Sequence, residues 1–476
     1  MHSTPYTFRH TKIIATVGPA TESKEKLSQL ISDGVDVVRL NMAHGTEQWV
    51  TDTVRRIREV STNVGRQVAV MMDVKGPEIR TGLVDPAVEL VVGSRLHLRT
   101  RDELPSPAGI TSVTVNYADL PNDVEVGTVM LVDSGLLRFR VLEKDQHTVL
   151  CEALTPGVLH SRRHINLPGV NVGLPSLTDK DRADLRAGIE AGIDFVALSF
   201  VREAADVRVL KTFLQELGSR ARIVAKIEDS AGVRNMVEIV READAIMVAR
   251  GDLGIEIDFH KLPLVQTQLV DVCQAEGKPV IIATHLLESM IQSPMPTRAE
   301  ISDVCNAVRE QADAVMLSGE TTVGSYPLES VGVLKSIIRS TEPTLRCELN
   351  DTIALRTPKA KMLRAAAVLA QDLGQSGIVV FTRSGFLAYV LGALRARGIP
   401  IYAFTDDETL FRQLLLPWGV EPFLMKFSDD PSETIANSLE ILKVKKWVAE
   451  GTWLVVITNA LSDDSIVDSL QLRQVE

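Results

Sequence analysis

The stretch ADAIMVARGDLGIEID, residues Ala243 to Asp258, opens as a short apolar run and turns abruptly polar at Arg250, Gly251 and Asp252. An apolar run of strand length with no polar alternation suits a β-strand covered on both faces, as in a parallel sheet. The charged triplet after it is either a surface turn or the end of a strand that carries chemistry. The letters RGD would also fit a cell-adhesion loop, but only on an exposed segment of a secreted protein.

The same unit recurs along the chain. KIIATV from Lys12, DVVRLNM from Asp36 and QVAVMMDV from Gln67 precede it at a distance, and DFVALSF from Asp194 and RIVAKIE from Arg222 directly. KPVIIAT from Lys278 and DAVMLSG from Asp313 follow. Between them lie stretches with helical spacing and polar faces, such as SKEKLSQLISDG and DKDRADLRAGIEAG. Eight strand-then-helix units predict an α/β fold closed as a (β/α)8 TIM barrel. An open doubly wound sheet is the alternative, and no G-x-G-x-x-G turn supports it.

The repeat breaks once. Between Gly76 and Pro175 helical periodicity gives way to short alternating runs, RLHLRT, VTVNY, VMLVD and LRFRVLE, separated by Gly, Pro and Asp-Ser-Gly turns. This predicts a small β-barrel domain inserted after the third strand, placed to act as a lid. After about Thr341, GIVVF, PIYAFT, EPFLM and WLVVITN alternate with helices as a separate α/β domain. The expected division is 1–75 and 176–342 for the barrel, 76–175 for the lid, and 343–476 for the C-terminal domain.

Composition agrees with a multidomain globular protein: 476 residues, 45% hydrophobic and 24% charged. A formal charge of -11 without any basic block argues against nucleic acid as a partner. The four cysteines, Cys151, Cys273, Cys305 and Cys347, form no C-x-x-C pair and suggest core thiols in a reducing compartment. No apolar stretch reaches the ~18 residues of a membrane span, and the N-terminal apolar run is short for a signal peptide. A soluble cytoplasmic protein with no membrane partner is expected, which removes the adhesion reading.

In a barrel, polar residues at the C-terminal ends of strands face the active site. Here the strand ends are expected to present Arg39 and Asn41, Asp73, Lys226 and Glu228, Arg250 to Asp252, Thr284, and Ser318 to Glu320. For one residue, a salt bridge or helix cap explains this as well as catalysis does. Chance loop polarity, however, would scatter charge over both barrel ends. Carboxylates without His or Cys suit a hard, oxygen-loving ion, Mg2+ or Mn2+, and Glu228 and Asp252 are the best pair. A lysine and an arginine beside such an ion suit an anionic substrate, and Gly251 would let the backbone approach it. Arg250 is expected to brace the carboxylates. A glycosidase-like carboxylate pair, a metal-dependent aldolase or lyase, and a non-catalytic metabolite sensor on a degenerate barrel remain as alternatives.

These segments resemble the pyruvate kinase family over essentially the whole chain. The matching stretches are TKIIATVGPAT from Thr11, VVRLNMAHG from Val37, MMDVKGPEIRTG from Met71, IVAKIEDSAGV from Ile223 and AIMVARGDLGIEI from Ala245. ATHLLESMIQSPMPTRAEISDVCNAV from Ala283 and DAVMLSGETTVGSYPLE from Asp313 complete the set.

The resemblance implies glycolytic phosphoryl transfer from phosphoenolpyruvate to ADP, a homotetramer, and Mg2+ held by Glu228 and Asp252. It implies Lys226 and Arg39 on the phosphoryl group. Thr284 with the backbone of Gly251 and Asp252 would hold the substrate carboxylate. Thr284, Ser318 and Glu320 would support enolate protonation, and Asn41, His44, Arg80 and Arg163 would lie on the nucleotide side. It also implies K+ on Asn41, Asp73 and the Val74 carbonyl.

The chain departs from the family pattern at several of these positions. Ala43 replaces a serine oxygen of the K+ set, while Glu78 keeps the residue of K+-requiring members, so the K+ requirement stays open. Arg163 and Val323 replace lysines, and His285 replaces a glutamine. The loop from Thr382 to Gly385 resembles a sugar-phosphate effector loop, but Phe386 and Leu387 follow it where small hydroxyl residues belong. Weak activation or none by fructose 1,6-bisphosphate is expected.

Overall fold

A computed structural model describes residues 8–345, 349–374, 376–462 and 465–476. Cys347 and residues 463–464 lie outside the described residues. The eight strands are Lys12–Val17, Val37–Asn41, Ala69–Asp73, Phe195–Leu198, Arg222–Ile227, Ala245–Ala249, Val280–Ala283 and Ala314–Leu317. They pair in parallel in chain order, and the first closes on the eighth with Lys12 opposite Ala314.

Helix boundaries follow from local chemistry. In the helix Lys24–Asp33, the Ser23 side chain caps the start and Gly34, at φ 105°, ends it, while Leu27, Leu30 and Ile31 turn inward. Asp179–Ala191 starts with a reciprocal capping box between Thr178 and Asp181.

The strands are buried on both faces, so they read as unbroken apolar runs. One set of side chains packs against the helices and the other fills the barrel, including Ile14, Met71, Phe195, Met247 and Met316. Leu415 and Leu416, from the C-terminal region, belong to this inner cluster and plug the barrel's N-terminal end.

That end has a regular electrostatic frame. Asp36, Asp194, Asp244 and Asp313 each stand at or just before the start of an even-numbered strand, and each carboxylate accepts an N–H from the preceding odd strand. The donors are Ile13, Val70, Ile223 and Val280, at 2.8, 2.8, 2.8 and 2.9 Å. Arginines close each one: Arg9 and Arg66 on Asp36, Arg58 and Arg412 on Asp194, Arg395 on Asp313, and Arg222 on Asp244 at a longer 3.8 Å. Arg412 and Arg395 come from the C-terminal region, so this floor joins the barrel to that region.

The insertion forms a six-stranded sheet, and isolated bridges Arg80–His164 and Thr81–Val115 join its two edges into a small barrel. One short helix, Leu120–Asp123, interrupts this otherwise β region. The C-terminal sheet runs Val420–Leu424, Ile401–Thr405, Gly377–Phe381, Trp453–Ser462, Ser465–Gln474, parallel except for the final antiparallel pair.

Cys151, Cys273 and Cys305 are free thiols, and burial pushes Cys151 up to about 12. Among the described residues no helix is long and apolar enough to cross a membrane.

Candidate active site

At the C-terminal rim, side chains from the third to fifth strands and the residues just past them meet on one ammonium. Lys226 donates to Asp73 Oδ1 at 3.0 Å and to Ser199 Oγ at 2.8 Å, and its Nζ lies 2.9 Å from Glu228 Oε1. Burial alone would lower the Lys226 pKa, but Asp73 and Glu228 outweigh it and hold the ammonium above its ordinary value. Asp73 takes Arg39 on its other oxygen, at 2.7 Å from Nε, and Arg39 also donates to Thr16 Oγ1 at 3.1 Å. Burial would raise Asp73, yet Lys226 and Arg39 together hold it below the usual carboxylate range.

Carboxylate exceeds cation here. Burial pushes Glu228 up to about 7 against the pull of Lys226, and Asp252 and Asp73 add to the rise. Glu256 is pushed up to about 7 by burial, with Asp229 and Asp252 reinforcing it; among the described residues only Asn166 of the lid donates to it, at 2.9 Å. Asp252 makes no hydrogen bond or ion pair with the described residues. An unpartnered carboxylate beside a buried, charge-resisting one is a donor set that suits a divalent cation. No cluster of three or more metal-ligating side chains occurs among the described residues. Two protein carboxylates with water and substrate completing the shell fit Mg2+, which keeps several waters.

Arg250, Gly251 and Asp252 do not form a strand end. The strand stops at Ala249, and Arg250–Glu256 forms a helix whose first turn holds Gly251 and Asp252. Arg250 does not brace Glu228 or Asp252. It donates to the Thr284 carbonyl at 2.7 Å and pairs with Asp303 at 2.8 Å, tying the sixth and seventh strand loops together. Thr284 is β-branched and sits at φ 66°, a conformation such residues rarely adopt, and its hydroxyl accepts the Gly251 N–H at 2.7 Å. Gly251 itself has no positive φ, and a Cβ there would meet nothing nearer than 3.5 Å. Neither strain nor packing within the protein demands this glycine.

Glu320 accepts the N–H groups of Ser318 at 2.8 Å and Leu287 at 3.1 Å, fixing the last two rim loops. The buried Ser318 hydroxyl has no hydrogen-bond partner among the described residues. Asn41 lies opposite Asp73 in register, with Val74 next along the chain, and Asn41 Oδ1 accepts the Ala43 N–H at 3.1 Å. The Val74 carbonyl accepts Ser199 Oγ at 2.7 Å. On the lid, Arg80 is held by Glu78 at 2.8 Å and Arg163 by Asp133 at 3.2 Å. His44 is exposed in the loop after the second strand. In the effector-like loop Thr382 turns inward, its Oγ1 accepting the Gly385 N–H at 2.8 Å, while Ser384 is exposed.

Sequence reasoning passed over Ser199, Phe200 and Thr16. Ser199 joins Lys226, Asp73 and Val74. Phe200, at φ 53°, aims its N–H at Glu228 Oε2 over 2.7 Å. The polar end of the ALSF run on the fourth strand was the available signal, while Thr16 is masked inside an apolar run.

Comparisons with known proteins agree with one another. Family models described as pyruvate kinase, barrel domain, and pyruvate kinase, alpha/beta domain, match residues 8–331 and 360–465. The chain is 38% identical to plastidial pyruvate kinase 2 of Arabidopsis thaliana, over 100% of this chain and 83% of that one. It is 42% identical to the pyruvate kinase of Geobacillus stearothermophilus, over 87% of this chain and 71% of that one. A crystal structure of a pyruvate kinase from Cryptosporidium parvum superposes with a TM-score of 0.92 at 32% identity, covering 98% of this chain and 96% of the other.

Proposed function

The chain belongs to the pyruvate kinase family and transfers the phosphoryl group of phosphoenolpyruvate to ADP, giving pyruvate and ATP; from that premise we propose how its own residues divide the work. The observation that carries the proposal is the Lys226 ammonium, held between Asp73, Ser199 and Glu228 beside the unpartnered Asp252 carboxylate. The degenerate-sensor alternative is not retained, since Arg39, Lys226, Glu228, Asp252 and Thr284 are all present.

Glu228 and Asp252 are the residues to hold Mg2+, or Mn2+, which when bound neutralises charge on carboxylate and phosphoryl oxygens. Lys226 offers a fixed positive charge to the transferring phosphoryl group, and Arg39 clamps it. Such preorganised charge is the main catalytic resource in phosphoryl transfer. Thr284 and the backbone at Gly251 and Asp252 orient the substrate carboxylate in the space the glycine leaves. After transfer the enolate takes a proton on carbon. The unpartnered hydroxyl of Ser318 fits one end of a water chain, with Glu320 as the positioning residue that holds its loop.

Asn41, His44, Arg80 and Arg163 form the proposed nucleotide side, and Asn41, Asp73 and the Val74 carbonyl the proposed K+ set. The domain division 1–75 with 176–342, 76–175, and 343–476 is part of the same proposal. So are a homotetramer and a cytoplasmic location; the free thiols support the latter.

The test is pyruvate formation from phosphoenolpyruvate and ADP with Mg2+, in parallel in K+ and Na+ buffers. Equal rates mean the site lacking the oxygen at Ala43 works without K+. Activity in K+ alone means the remaining oxygens suffice. No activity in either buffer from folded protein overturns the assignment of residues.

A further inference from the structure

The lid meets the barrel beside the two carboxylates assigned to Mg2+. A cavity of about 60 Å³, large enough for water, lies in the seam. Ile79, His164 and Asn166 of the lid line one side, and Phe200, Asp229 and Glu256 of the barrel line the other. The seam is therefore spanned by particular side chains rather than by continuous packing.

Two of those side chains come from one lid strand. Ile165–Asn166 pairs with Val132 and Leu131, and His164 just before it bridges to Arg80. Residues two apart on an extended chain share a face, so His164 and Asn166 both project toward the barrel while Ile165 joins the lid core.

Each reaches a different metal carboxylate at one remove. Asn166 Nδ2 donates to Glu256 Oε1 at 2.9 Å, and Glu256 ends the helix Arg250–Glu256, whose first turn holds Asp252. Four residues of helix separate the two carboxylates, about 6 Å along the axis, so a hold on Glu256 is a hold on Asp252. On the other side, the His164 ring lies 6.0 Å from the Phe200 ring, and the Phe200 N–H donates to Glu228 Oε2 at 2.7 Å. Phe200 sits at φ 53°, rare for a bulky residue, so its N–H keeps that aim only while its surroundings fix the ring.

The polar contact is specific. Asn166 is 4% exposed, and its Oδ1 is buried with no hydrogen-bond partner among the described residues. The hydrogen bond its amide does make crosses to the barrel. A buried amide on a buried carboxylate is a costly way to join two domains, since an apolar pair of similar volume avoids their desolvation. What the polar pair adds is direction.

We infer that Asn166, Glu256 and His164 are positioning residues for the divalent metal: one lid strand holds both carboxylate-bearing elements in place and so sets metal affinity before any substrate arrives. The inference rests on the assignment of Glu228 and Asp252 to Mg2+ and adds the residues that hold them.

Binding of Mn2+ alone to the full-length protein, read from the electron paramagnetic resonance of the free ion, tests this without turnover. Asn166→Ala is expected to weaken binding at least about tenfold, the lower end of what loss of an outer partner costs a metal site. His164→Ala is expected to weaken it about threefold, the worth of an aromatic contact. Glu256→Gln keeps an acceptor for Asn166 and should stay within about twofold of the unsubstituted protein. Tyr117→Phe removes the Tyr117–Asp123 hydrogen bond elsewhere in the lid and should leave the Kd unchanged.

Unchanged affinity in either alanine variant overturns the inference. So does a loss in Tyr117→Phe equal to that in Asn166→Ala, which would reduce the effect to general instability of the lid. A loss of that size in Glu256→Gln would mean that Glu256 acts by its charge and would overturn positioning. Asp252→Asn separates the two levels, since it should abolish measurable binding. Retention of Mn2+ there overturns the metal assignment and this inference with it, whereas loss there with full affinity in Asn166→Ala overturns the inference alone.

Discussion

The two ends of the barrel are both charged, and they differ in how the charge is closed. At the floor every aspartate of the repeating frame receives a backbone N–H and an arginine. At the rim Arg39 pairs with Asp73, Lys226 is shared between Asp73 and Glu228, and Asp252 and Glu256 have no cation of their own among the described residues. Burying a carboxylate without compensation is unfavourable, so an incompletely closed set persists only where something else binds. Charge at strand ends is therefore a poor marker of function, while unclosed charge is a good one. The expectation that charge would gather at one end was incomplete for this reason. Both ends collect it, and among the described residues it is the rim that leaves carboxylates without a cation.

Four substitutions can break or sharpen this contrast. The largest effect is expected at the rim: Lys226→Met should lower the rate of pyruvate formation ~10²–10³-fold or more, as loss of a charge-stabilising group does elsewhere. A loss below about tenfold in steady-state kinetics would mean that the ammonium is structural, like the arginines of the floor.

Next comes the floor itself. Arg395 is buried against Asp313, and Arg395→Met leaves that carboxylate uncompensated, so a destabilisation of about 3–5 kcal/mol is expected in urea unfolding. Activity per folded molecule should stay within about twofold. A larger loss of activity would show that the floor is not merely structural.

Gly251→Ala comes third. The added methyl has room within the protein and improves helix propensity, so stability should hold or rise slightly. The half-saturation for phosphoenolpyruvate should rise about tenfold, because the methyl occupies substrate space. Unchanged kinetics would remove Gly251 from the site.

The smallest effect concerns His10, stacked on Trp418 at the floor with its pKa lowered to about 3 by burial, with Lys12 and Arg395 adding to the fall. A histidine that stays neutral when folded lets the unfolded chain bind a proton first. Its share of stability is thus intact above pH 6.5 and lost as pH falls from there toward 3. The loss should reach about 1.4 kcal/mol per pH unit, and His10→Gln should flatten the pH dependence of urea unfolding by that amount between pH ~6 and ~4. An unaltered slope would mean that His10 takes its proton in the folded state.

Much of this was legible beforehand. Period and run length decided the eight strands, because a strand covered on both faces must be apolar at every position. The change to alternation between Gly76 and Pro175 marked the insertion for the converse reason, one dry face and one wet. The types of Lys226, Glu228 and Asp252 suit the hard-ion and anion chemistry proposed for them.

Which groups touch is another matter, since it depends on strands distant in sequence. Ser199 could not be attached to Lys226, nor Arg250 moved from the carboxylates to Asp303 and Thr284, without knowing how adjacent strands align and where the strand at Ala249 becomes a helix. The arginines of the floor come partly from residues 395 and 412, more than eighty residues from the nearest aspartate they close. Sequence by itself determined which residues prefer burial or water and with what period, because those preferences are local. Closure of the barrel decided which charges found partners among the described residues and which did not, because pairing energy depends on distances that only the folded chain sets.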